Sequence, residues 1–207
     1  MRLYLIALAG FLAFQSCSVS PVKNDDTVAA DTTAAAKEES EPSPYFPVLD
    51  LLKSDVIKVD SFAAGIMSKR IYDGKKDSTF INIDSFKNLT KQFIIPELDF
   101  NYFQEHFTEK SIMETSTDQL TVIYTPKENI GTIKQVTVYI SQTASGNKVD
   151  MLYIDKVIND ASGSSNEKLL WKTGHYFTIT KDIIDANKKS HQEIRHIIWD
   201  PEYFNRL

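Results

Sequence analysis

Thr132–Ser141, TIKQVTVYIS, decides the fold. Val136, Val138 and Ile140 fall on one side of an extended chain, and Gln135, Thr137 and Tyr139 on the other. Strict alternation of this kind marks a half-buried strand, with one face on a core and the other in water. Tyr176–Ile183 repeats the pattern: Phe177 and Ile179 point one way, and Tyr176, Thr178 and Thr180 the other. Both strands therefore turn their tyrosines and threonines outward. In Glu167–Thr173, Leu169 and Trp171 alternate with Lys168 and Lys172, which places Trp171 in the core. Lys148–Asn159 stays open, because Val149, Met151 and Tyr153 compete with Leu152, Ile154 and Ile158 for the inner face.

Leu120–Thr125 and Gln192–Trp199 share the same enrichment in β-branched and aromatic residues. The gaps between these six segments are short and carry turn residues, as in Glu128-Asn129, Ser145-Gly146-Asn147, Ser162-Gly163-Ser164 and Asn187-Lys188-Lys189. Long strands joined by short turns imply an antiparallel meander, here of about six strands.

Upstream the period is helical. Phe46, Leu49, Leu52, Val56 and Val59 recur at spacings of three and four, predicting a helix over Tyr45–Val59 with Ser43 as N-cap and Pro47 in the first turn. Asp50, Lys53, Asp55 and Lys58 lie on its wetter side. Ser61–Tyr72 and Ser78–Ile83 read as strands around the hairpin turn Asp73-Gly74. Asp84 is the expected N-cap of a second helix over Ser85–Ile95, stopped by Pro96. Phe100, Phe103 and Phe107 predict a further short helix within Glu97–Thr108. The fold class is α+β: helix, hairpin, one or two helices, then the meander, with the helices on one face because a lone sheet cannot bury its apolar side.

The chain opens differently. Arg2 precedes the apolar run of Leu3–Cys17, LYLIALAGFLAFQSC. A positive residue, a short apolar stretch and small residues at a break describe a signal peptide, here residues 1–16, and the run is shorter than the roughly 20 residues a membrane span needs. Ser16-Cys17 resembles the end of a lipobox, in which the cysteine sulfur takes a diacylglycerol and the chain is cut just before it. Phe14 stands where the lipobox prefers Leu, a departure seen in the looser lipoboxes of Bacteroidota. Cys17 is the only cysteine of the 207 residues. The resemblance makes it the lipidation site and leaves no thiol for disulfides or metal ligation.

Ser18–Pro44 contains no Leu, Ile, Phe, Tyr or Trp and carries six acidic residues against Lys23 and Lys37. Such composition cannot bury enough apolar surface to offset its ordering entropy, so residues 17–44 read as a lipidated cysteine on a disordered acidic tether. Residues 45–207 read as a single domain, in which 20 basic residues nearly balance 22 acidic ones. No basic stripe is present, which argues against a nucleic-acid partner.

The pattern carries no catalytic signature. His106, His175, His191 and His196 fall at spacings that form no metal motif, and no nucleophile elbow or phosphate-cradling glycine loop occurs. No cofactor, metal or catalytic residue is expected. The candidate partner-binding residues are Tyr139, Tyr153 and Tyr176.

Beyond the lipobox, the words Tyr45-Phe46-Pro47-Val48-Leu49-Asp50, Leu170-Trp171-Lys172-Thr173-Gly174 and Ile198-Trp199-Asp200-Pro201 resemble those of small bacterial lipoproteins of the Bacteroidota type. The resemblance implies a lipid-anchored protein of the cell envelope, in the outer membrane, and supplies no activity. The expectation is a non-enzymatic module that binds an envelope protein through its sheet. The alternative is a carrier of an apolar ligand held between sheet and helices, lined by the Phe residues of Phe86–Phe107.

Overall fold

A computed structural model describes residues 46–206 apart from 115, 129–130, 144–145 and 162. The signal peptide, Cys17, the tether and Ser43 lie outside the described residues. All described residues belong to one unit of the chain, which begins at Ser43.

Helix α1 spans Val48–Phe62 and buries Val48, Leu52, Asp55 and Val59. It starts and ends about three residues later than its apolar spacing predicts, taking Ser61 and Phe62 from the expected first strand. Pro47 sits at the N-cap, where its missing N–H costs nothing. Asp55 belongs to the buried stripe and not to the wet side. Strands β1 (Ile66–Tyr72) and β2 (Lys75–Ile81) form the expected hairpin. Its turn has Asp73 at φ 46° and Gly74 at φ 79°, the left-handed pair that a two-residue hairpin loop requires.

Helix α2 covers Ile83–Thr90, and the Asn82 side chain, not Asp84, caps it by accepting from the Ser85 N–H at 2.9 Å. A 3-10 turn at Pro96–Leu98 leads to α3 (Phe100–His106), capped by Asp99. Phe107 then leaves the helical pattern and opens β3 (Phe107–Glu114), a strand the periodicity did not announce. The remaining strands are β4 (Gln119–Pro126), β5 (Ile133–Thr143), β6 (Gly146–Asp160), β7 (Gly163–Lys172), β8 (Tyr176–Asp185) and β9 (Ser190–Ile198).

All pairings are antiparallel, and the nine described strands form one sheet in the order β2-β1-β9-β8-β7-β6-β5-β4-β3. The meander of six is thus part of something wider. β3 extends one end, and the hairpin joins the other because β1 pairs with β9, with Arg70 opposite Arg195.

The core lies between one sheet face and the three helices. Val136, Val138 and Ile140 are buried, as their alternation predicts, together with Leu152, Ile154, Leu169, Trp171, Phe177 and Ile179. Aromatic rings from the helices fill the centre. Phe93 meets Trp171 edge-on at 5.2 Å, Phe86 meets Trp199 at 5.6 Å, and Phe103 lies 4.6 Å from Tyr124. Burying each such side chain contributes roughly 1.5–3 kcal/mol, which is what holds α2 and α3 to the sheet.

Candidate binding face

The other sheet face carries no α-helix among the described residues. Strand register fixes what it presents. One row across the strands runs Tyr139, Met151, Lys172, Tyr176, Ile198, Met67. The next runs Thr137, Tyr153, Leu170, Thr178, His196, Lys69, Ser78. Tyr139 and Tyr176 point to this face, as alternation predicts, Tyr153 of the segment left open joins them, and all three are half-buried. Tyr139 and Tyr153 are diagonal neighbours across β5 and β6. Tyr176 stands three strands from Tyr139, about 14 Å at the usual strand spacing.

Tyr176 is separated in a second way. The chain after β9 makes a 3-10 turn at Pro201–Tyr203, capped by Asp200, and lays its aromatic residues back on this face. Tyr203 packs on Tyr176 at 5.3 Å and on the His175 ring at 4.8 Å. Phe204 meets Phe80 edge-on at 5.9 Å. This cover explains why Ile198 is fully buried although it lies outside the main core. The three tyrosines therefore make one half-buried pair and one residue stacked under the C-terminal segment.

Two of these phenols are shifted by their surroundings. Burial pushes the Tyr153 hydroxyl above its ordinary value, helped by Asp155 and Tyr139. Burial and the Tyr203 ring's hydroxyl do the same for Tyr176. His175 and Asp200 form a close pair, Nδ1 to Oδ2 at 2.6 Å. Asp200 feels burial first, which raises it, but the bonds from His175 and the Glu202 N–H outweigh this and hold it low. The pair also ties the C-terminal turn to the β7–β8 turn.

Both sheet edges are bare among the described residues. β2 is exposed along almost all of its length, and β3 exposes Ile112 and Met113, each 46% accessible.

The helix side answers the ligand-carrier expectation differently. Phe86, Phe93 and Phe103 are buried, with their rings against Trp199, Trp171 and Tyr124. A separate apolar groove of about 380 Å³ opens beside the first turn of α1, between Phe46, Val48 and Leu51 and the strand residues Val138, Val149 and Leu152. Among the described residues, no group of three or more His, Cys, Asp or Glu side chains is placed to hold a metal ion. None of the described helices is long and apolar enough to cross a membrane.

Sequence reasoning missed the C-terminal cover, whose aromatic residues Tyr203 and Phe204 follow a proline and show no period. It also missed the polar row ending at Lys69 and Ser78, because β1 meets β9 only in three dimensions. No protein-family model matches this chain, and no curated protein matches it.

Proposed function

We propose that this protein is a lipoprotein of the cell envelope, anchored in the outer membrane through acylated Cys17, whose domain binds an envelope protein through the uncovered face of its sheet. In this reading the domain is a non-enzymatic module, and the acidic tether sets its distance from the membrane. The observation that carries the reading is the Tyr139–Tyr153 pair with Met151 and Leu170 beside it, aromatic and apolar groups shielded only by their neighbours in the sheet. Tyrosine and methionine are enriched at interfaces, where one large side chain supplies both apolar area and a polar tip. Two bare edges add a second mode of attachment, strand addition.

One observation favours a second reading, carriage of an apolar ligand: the groove between α1 and Val149. Its size fits a small molecule.

Native mass spectrometry of protein extracted gently from its own membranes separates the two. A defined extra protein mass, lost in the Tyr139→Ser/Tyr153→Ser variant, supports the tethered module. A partner that stays bound to that variant sinks the sheet-face reading. A small apolar adduct, lost when Leu51 is changed to Glu, favours the carrier. An unmodified Cys17 overturns the anchor.

A further inference from the structure

The groove of about 380 Å³ beside the first turn of α1 is lined mostly by aliphatic side chains. Val138, Val149 and Leu152 line it from the sheet, and Val48 and Leu51 line it from the helix. Register brings the sheet residues together. Ile140 pairs with Val149 but Tyr139 pairs with Met151, so Val149 and Leu152 both turn to the helix face. The polar lining consists of Thr173 and of Lys58, Asn147 and Lys148, the last three all exposed. At about 30 Å³ per heavy atom, the volume share of a water molecule, the groove holds roughly a dozen heavy atoms.

Thr173 differs from the other three polar residues. Its Oγ1 is buried and has no hydrogen-bond partner among the described residues. Its backbone is held from both sides. The Thr173 N–H donates to the Asp150 carbonyl at 3.1 Å, and the next N–H, that of Gly174, donates to Asp55 Oδ2 at 2.9 Å. Buried polar groups are nearly always paired, and an unpaired one costs free energy. A ligand oxygen that meets the Thr173 hydroxyl removes that cost.

We propose that this groove binds a free single-chain lipid, its aliphatic chain between Leu51 and the valines and a head-group oxygen on the Thr173 hydroxyl. The proposal rests on the reading of this groove as a carrier site and names what is carried. Walls of Val and Leu methyl groups suit a flexible methylene chain, and each methylene buried there adds to affinity. A dozen heavy atoms is one medium-length chain, whereas a two-chain lipid has several times as many. The exposed Lys58, Asn147 and Lys148 leave the rest of the head group beside water. The groove lies on the helix face of the sheet, so the lipid does not compete with a protein bound at Tyr139 and Tyr153.

Primary alcohols from hexanol to dodecanol are the probes. The protein is the chain left when residues 1–16 are removed, carrying Cys17→Ser so that it holds no acyl group of its own. Methyl NMR titrations locate binding and measure it, with shifts expected at Leu51, Val138, Val149 and Leu152. Affinity should rise about fourfold per methylene and level off at about decanol, where the groove is full. Thr173→Val should weaken decanol about fivefold, the margin of one neutral hydrogen bond, and Thr173→Ser should keep the parent's affinity. Free Thr173→Val should melt no lower than the parent, because it loses only a hydroxyl without a partner; a purely structural role would lower the melt. Leu51→Glu should abolish binding, and Lys168→Met, on the other face, should change nothing. Fourfold steps that continue unbroken to dodecanol overturn the proposal, as do shifts spread over the whole sheet or a folded Thr173→Val of undiminished affinity. 1-Naphthol bound at these methyl groups, with decanol unbound, overturns the lipid and leaves a carrier of another apolar class. If neither binds, the carrier reading falls too. Decanol binding to the Cys17→Ser chain but not to the acylated protein would make the Cys17 acyl group the occupant and overturn a free lipid.

Discussion

Asp55 on α1 accepts the indole N–H of Trp171 on β7, at 2.8 Å across the buried core. The same oxygen accepts the backbone N–H of Gly174 at 2.9 Å. Asp55 is 2% exposed and Trp171 is not exposed at all. The carboxylate thus satisfies a donor that would otherwise be stranded among apolar rings, and it fixes where α1 crosses the sheet. Asp55→Ala should destabilise the domain by about 2–4 kcal/mol, because two donors lose their acceptor and a small void opens. Denaturant unfolding followed by tryptophan fluorescence measures it. A loss under about 0.5 kcal/mol would mean that water replaces the carboxylate.

The reason Lys148–Asn159 resists reading is a β-bulge. Ile140 pairs with Val149, yet Tyr139 pairs with Met151, so Asp150 is the extra residue. It reverses the alternation in mid-strand, and Val149 joins Leu152 and Ile154 on the inner face. The Asp150 carboxylate accepts from the Ser141 hydroxyl, and its carbonyl accepts from the Thr173 N–H at 3.1 Å. Deleting Asp150 should restore a regular strand and keep Val149 opposite Ile140 on the inner face, at the cost of the two hydrogen bonds that Asp150 accepts. The expected loss is about 1–3 kcal/mol, from the Ser141 hydroxyl and the Thr173 N–H left without their acceptor. Hydrogen exchange should place the damage at β5–β6 and the Thr173 N–H. Unchanged stability would mean that water satisfies both donors.

What the sequence discloses and what it hides follow from range. Alternation is local, so outward Tyr139 and Tyr176, inward Trp171 and the Asp73-Gly74 turn are all legible, while Tyr153 is hidden by the bulge in its strand. β3 is not, because Phe107 alone is buried in it and Thr108–Glu114 shows no inner face to read. The pairing of β1 with β9 joins residues more than a hundred positions apart, beyond any periodicity. That same pairing assembles the His196–Lys69–Ser78 row, so the row is invisible until the sheet closes. Asp55 was misplaced for a different reason. A charged residue at a helical spacing reads as solvated, and its buried donor, the Trp171 N–H, lies on an element 116 residues away.

Gly163, at the start of β7, has φ 140°, and a Cβ there would sit 2.0 Å from the Ile184 carbonyl oxygen. That oxygen belongs to backbone and cannot move aside without breaking the β7–β8 ladder. Gly163→Ala should therefore cost about 2–4 kcal/mol, steric overlap adding to backbone strain. Gly74 supplies the comparison. Its φ of 79° is left-handed too, but a Cβ there meets nothing within 4 Å. Gly74→Ala should cost about 1 kcal/mol, from conformation alone. Equal losses in the two variants, read by thermal melts, would remove the steric argument.

Acid should destabilise the domain in two stages. In the first, His196 is the responsible group. Burial and Lys69 lower its pKa below 6.5, so the unfolded chain takes up the proton first and stability falls as pH drops below about 6.5. In the second, Asp73, Asp185, Glu193 and Asp200 are all held below their ordinary values. The His191 hydrogen bond does this for Asp73, and the Lys189 backbone N–H does it for Asp185. Burial raises Glu193, but Arg70 and Arg195 lower it more. A depressed carboxyl contributes stability above its unfolded pKa and loses it as pH falls through the folded one, so this stage begins near pH 4. His196→Gln isolates the first stage. Between about pH 7.5 and 5.5 its melting temperature should fall less than that of the parent chain, while both should fall alike below about pH 4. Parallel curves across the upper interval would show that His196 takes up its proton as readily in the fold as in the unfolded chain.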